Sequence, residues 1–140
     1  MTRISFYILK GTEAASRQEF ACRLAEKAYK LGHHVYIHTQ SADESELINQ
    51  ALWSFRPDSF VPHQIHQGDD QNEPVLIGHD AAPPRLMDLL INLNPSQPLF
   101  FSQFERLAEL IDDREEIKIE GRKRFQFYKE RGYELETHRL

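Results

Sequence analysis

The sequence lacks what several common protein classes require. It contains one cysteine, Cys22, so it can form no intramolecular disulfide and no cysteine cluster for zinc. Its longest apolar run near the start, residues 6–9, is too short for a signal peptide or a membrane span. We therefore expect a protein of the reducing cytoplasm that has no contact with a membrane.

Glycine-rich phosphate loops are also missing. The loop after the first predicted strand reads Lys10-Gly11-Thr12-Glu13, which matches neither G-x-G-x-x-G nor G-x-x-x-x-G-K-[ST]. Nucleotide binding is therefore not supported. The net charge of −5 and a pI near 5.8 oppose broad electrostatic attraction to nucleic acid or to anionic membranes. Any basic site must be local.

The residues that catalysis or metal binding would use form no recognised pattern. The seven histidines include His63-x-x-His66, but no carboxylate completes a ligand spacing, and we interpret the histidines as mainly surface residues. Cys22 lies near the apolar face of the first predicted helix and is interpreted as a buried structural thiol. The residues therefore predict no catalytic group, metal or cofactor.

Short apolar runs alternate with helical patterns along the chain. The predicted strands are residues 4–9, 35–39, 74–78 and 88–93, and the predicted helices are residues 13–31, about 44–56 and about 117–132. Residues 99–111 fit helical periodicity at first, but 104–111 remain ambiguous. The alternation predicts a single α/β domain over residues 1–140, with three layers and a mainly parallel sheet of about five strands flanked by helices.

Trp53, the only tryptophan, faces away from the apolar stripe of its helix. It lies roughly 170° from the centre of that stripe. The stripe consists of Leu47, Ile48, Ala51, Leu52 and Phe55. A proline-bracketed loop then adds Phe60, Val61 and Pro62. Either Phe60 covers the indole within the chain, or these residues form a hot spot for a partner.

The last predicted helix is basic, although the chain as a whole is acidic. It holds six of the seventeen lysines and arginines, and Lys118, Arg122, Phe125 and Lys129 share an arc of roughly 60° with Tyr128 beside them. Three interpretations stay open: a packing helix whose cations snorkel, a site for single-stranded nucleic acid, or a site for an acidic peptide tail. The pattern leaves the last two close.

Several segments form a further pattern when they are taken in order: Phe6-Tyr7-Ile8-Leu9, Ala51-Leu52-Trp53, Ser59-Phe60-Val61-Pro62-His63, Leu90-Ile91-Asn92-Leu93, and Gly121-Arg122-Lys123-Arg124-Phe125 through Tyr128 and Gly132-Tyr133. Together they resemble the chi-subunit family of bacterial DNA polymerase III, nearly from end to end. The resemblance implies a fold related to nucleotide-binding folds but without the phosphate loop. It also implies a non-catalytic subunit of a DNA-directed DNA polymerase complex. Residues 67–73 and 80–87 match the family pattern poorly.

The resemblance further implies two partners. Trp53, Phe60, Val61 and Pro62 would contact the psi subunit of the clamp loader, or a repair helicase that uses the same surface. The acidic C-terminal tail of single-stranded-DNA-binding protein would contact a second set, namely Lys118, Arg122, Phe125 and Tyr128 with Ile111 beneath. Contact with DNA would be mainly indirect, and residues 106–111 would form a strand. The alternatives are a single-stranded nucleic-acid-binding protein or a nucleotide- or metal-dependent hydrolase.

Overall fold

The computed structural model describes residues 1–67, 72–80, 82–83 and 87–140. The two segments that match the family pattern poorly lie partly outside these residues. In chain order the elements are β1 (Arg3–Ile8), α1 (Ala14–Lys30), β2 (Val35–His38), α2 (Ala42–Ser54), β3 (His63–Ile65), β4 (Val75–Gly78), β5 (Leu89–Asn92), β6 (Arg106–Ile111), α3 (Glu115–Glu130) and β7 (Leu135–Arg139).

The strands form one sheet in the order β3-β4-β2-β5-β6-β1-β7, and every pair of neighbours is parallel. Helices α1 and α2 cover one face, where Ala21, Ile48 and Leu52 pack against strand residues such as Ile37. Helix α3 covers the other face, where Tyr128 is part of a second buried cluster. The predicted three-layer α/β fold is confirmed.

The described residues form seven strands rather than about five, because both edge strands were missed. Strand β3 has three residues, and β7 reads Leu-Glu-Thr-His-Arg; no residue of either strand is fully buried. Edge strands face solvent along one side, so they need no continuous apolar run. The interior strands β2 and β4 are buried throughout, and the apolar pattern identified them correctly.

Residues 99–111 do not form the helix that their early periodicity suggested. They form a single 3-10 turn, Phe101–Gln103, followed by β6. Five of the six residues of β6 are buried, since the strand is central and covered on both faces. A run that is apolar on both faces fits helical spacing as well as strand spacing. The strand implied by the family resemblance is confirmed.

Local signals at the helix ends were largely correct. The Ser41 hydroxyl accepts a hydrogen bond from the Glu44 amide at 3.1 Å, and the Glu44 carboxylate accepts one from the Gln40 amide at 3.0 Å. This is the predicted capping box, with the return bond shifted by one residue. Gly32 has φ +85° just after α1 ends, where glycine is favoured.

Two side chains test the predicted helix faces. Cys22 is fully buried, and burial raises the pKa of its thiol to about 12, so the interpretation as a structural thiol is confirmed. Leu47 was assigned to the apolar stripe of α2, which was wrong, since it is 55% exposed. The buried face of α2 is narrower and consists of Ser45, Ile48 and Leu52.

A buried polar network joins α3 to the centre of the sheet. Glu109 of β6 is 0% exposed. Its Oε1 lies 3.0 Å from the Nε atom of Arg124, and its Oε2 accepts a hydrogen bond from the Tyr128 hydroxyl at 2.8 Å. The Asn92 amide of β5 donates to both carboxylate oxygens at 3.0 and 3.2 Å. Burial raises the pKa of Glu109, while Arg124, Tyr128 and Asn92 oppose that rise.

Arg124→Met leaves the buried carboxylate without its cation. We expect the free energy of unfolding to fall by about 3–5 kcal/mol at pH 7. Because Arg124 lowers the pKa of Glu109, its loss raises that pKa further; protonation of Glu109 then favours the folded variant, and the deficit should shrink as the pH falls toward about 5. Urea unfolding at several pH values measures this. Lys123→Met, an exposed change on the same helix, should stay within about 0.5 kcal/mol at every pH. A deficit independent of pH would contradict the expectation.

Candidate protein-interaction surfaces

The first surface, here called the aromatic patch, consists of Trp53, Phe60 and Pro62. Trp53 is 56% exposed and Phe60 is 63% exposed. Their ring centroids lie 5.8 Å apart, so Phe60 touches the indole but does not cover it. The internal contact of the first interpretation therefore exists, but a large aromatic area still faces solvent, and the hot spot for a partner stays a prediction.

Val61 was placed among the surface contacts, and the structure corrects this. Its side chain is 1% exposed and packs in the core beneath α1 and α2, so it anchors the loop and does not face a partner. Pro62 is half-buried. The His63 ring packs 4.8 Å from Trp53, and its nitrogens lie 2.6 Å from the Val61 carbonyl oxygen and 3.2 Å from that of Asn49. The loop is thus fixed on both sides of Phe60.

Glu26, which the sequence did not single out, ties the same loop to α1. The residue is 4% exposed, its carboxylate accepts a hydrogen bond from the Ser59 hydroxyl, and Arg56 lies 3.0 Å from it. On the helical wheel Glu26 lies opposite the predicted apolar stripe of α1, so the periodicity gave no signal for its burial, and a buried carboxylate needs a partner. The residue next to Phe60 is therefore held in place by a buried anion.

Glu26→Gln removes the charge but keeps the shape of the side chain. We expect a local loss of about 1.5 kcal/mol, at the low end for a charge-assisted hydrogen bond, which raises loop opening by roughly 10-fold. Hydrogen exchange of the Ser59 amide, which donates to the Arg56 carbonyl at 3.2 Å, reports this opening. Glu19→Gln on the exposed face of α1 is the control and should leave the rate unchanged. Equal rates in both variants would contradict the anchoring role of Glu26.

The second surface is an open pocket of about 450 Å³ between α3, β1, β6 and β7, here called the basic pocket. Its apolar wall is Phe6, Ile8, Ile111 and Phe125, its cations are Lys118, Arg122 and Arg139, and its carboxylates are Asp112 and Asp113. Phe6 and Phe125 meet edge to face at 5.1 Å. Four of the five residues predicted for tail binding line this pocket together: Ile111, Lys118, Arg122 and Phe125.

Tyr128 was predicted to belong to this surface, and the structure corrects this. It is 0% exposed, its hydroxyl is bonded to Glu109, and burial raises its pKa. Tyr128 lies next to the basic arc on the helical wheel but points to the sheet, beside Gly121 and Arg124. Arg139 and Thr137 take part instead, and they were missed because β7 was not predicted.

Gly121 sets how closely α3 approaches the pocket floor. A Cβ atom at this position would lie 2.6 Å from the Cδ1 atom of Ile111, which is closer than side chains pack. Glycine costs helix stability in a helix interior, so its use here has a packing reason. The absence of a side chain leaves room for Ile111 at the bottom of the pocket.

The structure gives no geometry for the hydrolase alternative among the residues it describes. No group of three or more histidines, cysteines or carboxylates is arranged there to hold a metal ion. Ser45 lies 3.1 Å from His79, but it is 1% exposed and already bonded to Thr39 at 2.7 Å, so a substrate cannot reach it. The Gly11 amide, in the loop where a phosphate would sit, donates to Asp113 at 2.7 Å.

His38 departs from the expectation of surface histidines. It is 6% exposed, stacks on Tyr36 with centroids 6.1 Å apart, and burial lowers its pKa to about 4. It therefore acts as a neutral aromatic ring of the core.

In the described part of the chain, no helix combines the length and apolarity that a bilayer crossing requires.

The fold and the two surfaces together define the class of this protein. It is an all-parallel three-layer α/β domain that presents a basic pocket and an aromatic patch. The comparison with known families then identifies it further: the family described as DNA polymerase III chi subunit, HolC, matches residues 1–136. The chain belongs to this family, whose members are accessory subunits in DNA replication. The family resemblance carried by the sequence segments is confirmed.

Individual relatives agree with this assignment. The chain is 40% identical to DNA polymerase III subunit chi of Pseudomonas aeruginosa over 140 residues, covering 100% of this chain and 98% of that protein. It is 30% identical to the subunit of the same name in Haemophilus influenzae, covering 94% and 93%. The Escherichia coli subunit is 24% identical, covering 98% and 97%.

A solved structure of T4 UvsW shows the same fold at a much greater distance. The two superpose with a TM-score of 0.71 at 9% identity, over 99% of this chain and 41% of that chain. At such low identity the likeness concerns the fold alone.

Proposed function

We propose that this protein is a non-catalytic adaptor of the DNA polymerase III holoenzyme. It links the clamp loader, through the psi subunit, to the acidic C-terminal tail of single-stranded-DNA-binding protein in the cytoplasm. The observation that carries the proposal is a confined basic pocket with an apolar wall on a chain whose net charge is −5. Its contact with DNA is then mainly indirect.

The basic pocket has the chemistry that an acidic peptide end requires. Arg122 is exposed at the rim and offers a guanidinium that can take a carboxylate with two parallel hydrogen bonds. Lys118 and Arg139 add positive charge around it. The wall formed by Phe6, Ile8, Ile111 and Phe125 offers an apolar side chain a place to be buried.

The aromatic patch has the composition of an interface centre. Tryptophan is enriched among the residues that dominate binding energy, and phenylalanine is enriched at interfaces. Trp53 and Phe60 belong to this class, and the anchors at Glu26 and Val61 hold them before any partner arrives. Such preorganisation reduces the entropy lost on binding. We assign this surface to the psi subunit, or to a repair helicase that competes for it.

Sheet order supports simultaneous binding of two partners. The aromatic patch lies beside β3 at one edge of the sheet, and the basic pocket spans β6, β1 and β7 at the other. Five steps between neighbouring strands separate β3 from β1, or about 24 Å at the usual spacing. A peptide on one surface therefore leaves the other free.

Arg122→Ala removes the guanidinium at the rim of the basic pocket. We expect the affinity for a synthetic copy of the acidic tail to fall by about 1.5–3 kcal/mol, because a charge-assisted contact is lost. Isothermal titration calorimetry measures the change.

Lys123→Ala is the matched control, since Lys123 is exposed on α3, pairs with Glu120 at 3.2 Å and does not line the basic pocket. Unchanged affinity in Arg122→Ala would refute the assignment of this pocket. Tight, strongly salt-dependent binding of a single-stranded oligonucleotide, lost in the same variant, would favour direct nucleic-acid binding instead.

Phe60→Ala removes the most exposed ring of the aromatic patch. We expect binding of the psi subunit to weaken by at least about 2 kcal/mol while tail binding stays the same. Surface plasmon resonance with each partner in turn separates the two effects. Leu47→Ala is the control, because Leu47 on α2 is also a large exposed apolar residue, at 55%, but lies outside the patch. Loss of both activities in Phe60→Ala would indicate misfolding and not a hot spot.

A further inference from the structure

The basic pocket contains carboxylates at the place where we propose that an acidic peptide binds. The two carboxylates differ in their surroundings. Asp112 is 3% exposed and is bound by the Arg114 guanidinium through contacts of 2.8 and 3.0 Å, so its charge is already compensated. The Asp113 side chain is 48% exposed, and its Oδ1 lies 3.9 Å from Lys118 Nζ.

Asp113 is also held firmly in position. Its Oδ2 accepts a hydrogen bond from the Gly11 amide at 2.7 Å, and its own amide donates to the Gly11 carbonyl at 2.9 Å. The carboxylate therefore cannot move away from the pocket without breaking the contact between the loops that follow β1 and β6. Lys118, in contrast, has a flexible side chain that is 37% exposed.

We propose that Asp113 is an internal competitor for the acidic ligand of the basic pocket. This inference rests on the proposed function. In the free protein the Asp113 carboxylate pairs with the Lys118 ammonium group. An incoming carboxylate must replace Asp113 in this pair while it approaches the fixed negative charge of Asp113. Asp113 thereby sets the specificity of the pocket. An isolated anion gains too little binding free energy to overcome the repulsion from Asp113, whereas a peptide that also buries an apolar side chain against Phe125 gains enough.

The size of the effect follows from the exposure of the pair. Exposed ion pairs contribute at most about 1 kcal/mol, because water and salt screen them. Removing the Asp113 charge should therefore raise tail affinity by about 2-fold to 5-fold and no more. Since complementary charge acts mainly on the association rate, the gain should appear chiefly as faster association.

Asp113→Asn is the decisive variant, because the asparagine oxygen can still accept the hydrogen bond from the Gly11 amide. We expect the tail peptide to bind about 2-fold to 5-fold more tightly, with a thermal unfolding midpoint close to that of the unchanged protein. If that midpoint falls, Asp113→Ser provides a second removal of the charge. Glu120→Gln is the matched control: it removes one negative charge from α3 outside the pocket and should leave the affinity unchanged.

A double-mutant cycle shows whether the competition acts through Lys118. In a Lys118→Met background, Asp113→Asn should raise affinity clearly less than it does with the lysine present. If Asp113→Asn, with Lys118 present, raises the affinity no more than Glu120→Gln does, the inference is overturned. If Asp113→Asn has no effect while Arg122→Ala still weakens binding, the competitor is refuted and the proposed function stands. If Arg122→Ala also has no effect, the proposed function itself is refuted.

Discussion

The buried contact between Glu109 and Arg124 determines where the rest of α3 can lie. A charged pair without solvent access tolerates little displacement, since each ion would otherwise be left uncompensated in a medium of low polarity. Tyr128 and Asn92 complete the coordination of the same carboxylate, so two strands and a helix meet at one point. Arg122 and Phe125 lie on the neighbouring face of α3, and their position over the pocket depends on that inner contact.

Both surfaces place a buried anchor directly behind an exposed residue. Val61 in the core and Glu26 on α1 fix the loop that displays Phe60. Ile111 and the close approach allowed by Gly121 form the floor below Arg122. Residues at the surface of a small domain lose side-chain entropy when they bind, and a rigid support reduces that loss. In the proposed function, the buried neighbours would contribute to recognition without touching a partner.

The sequence predicted the fold well and the sites in part, for reasons that particular residues make clear. Interior strands such as β2 are apolar on both faces, so the class of fold could be read directly. A helical wheel locates a side chain only roughly, which is why Leu47 was misplaced, whereas Tyr128 was assigned to the tail surface through the family resemblance. Val61 was assigned to the surface because loops are usually exposed. Arg139 could not have been found, since its strand is short, polar and recognisable only through its pairing with β1.

The order of the strands has a further consequence for how partners would meet. A hydrogen-bonded sheet does not stretch, so surfaces beside its two edges keep a constant vector between them, whereas a peptide tail is a flexible chain of variable reach. Binding to one edge then confines whatever is attached to the other within a small volume. The two attached molecules thereby gain effective concentration relative to each other. This gain arises from linkage alone and requires no communication between the two edges.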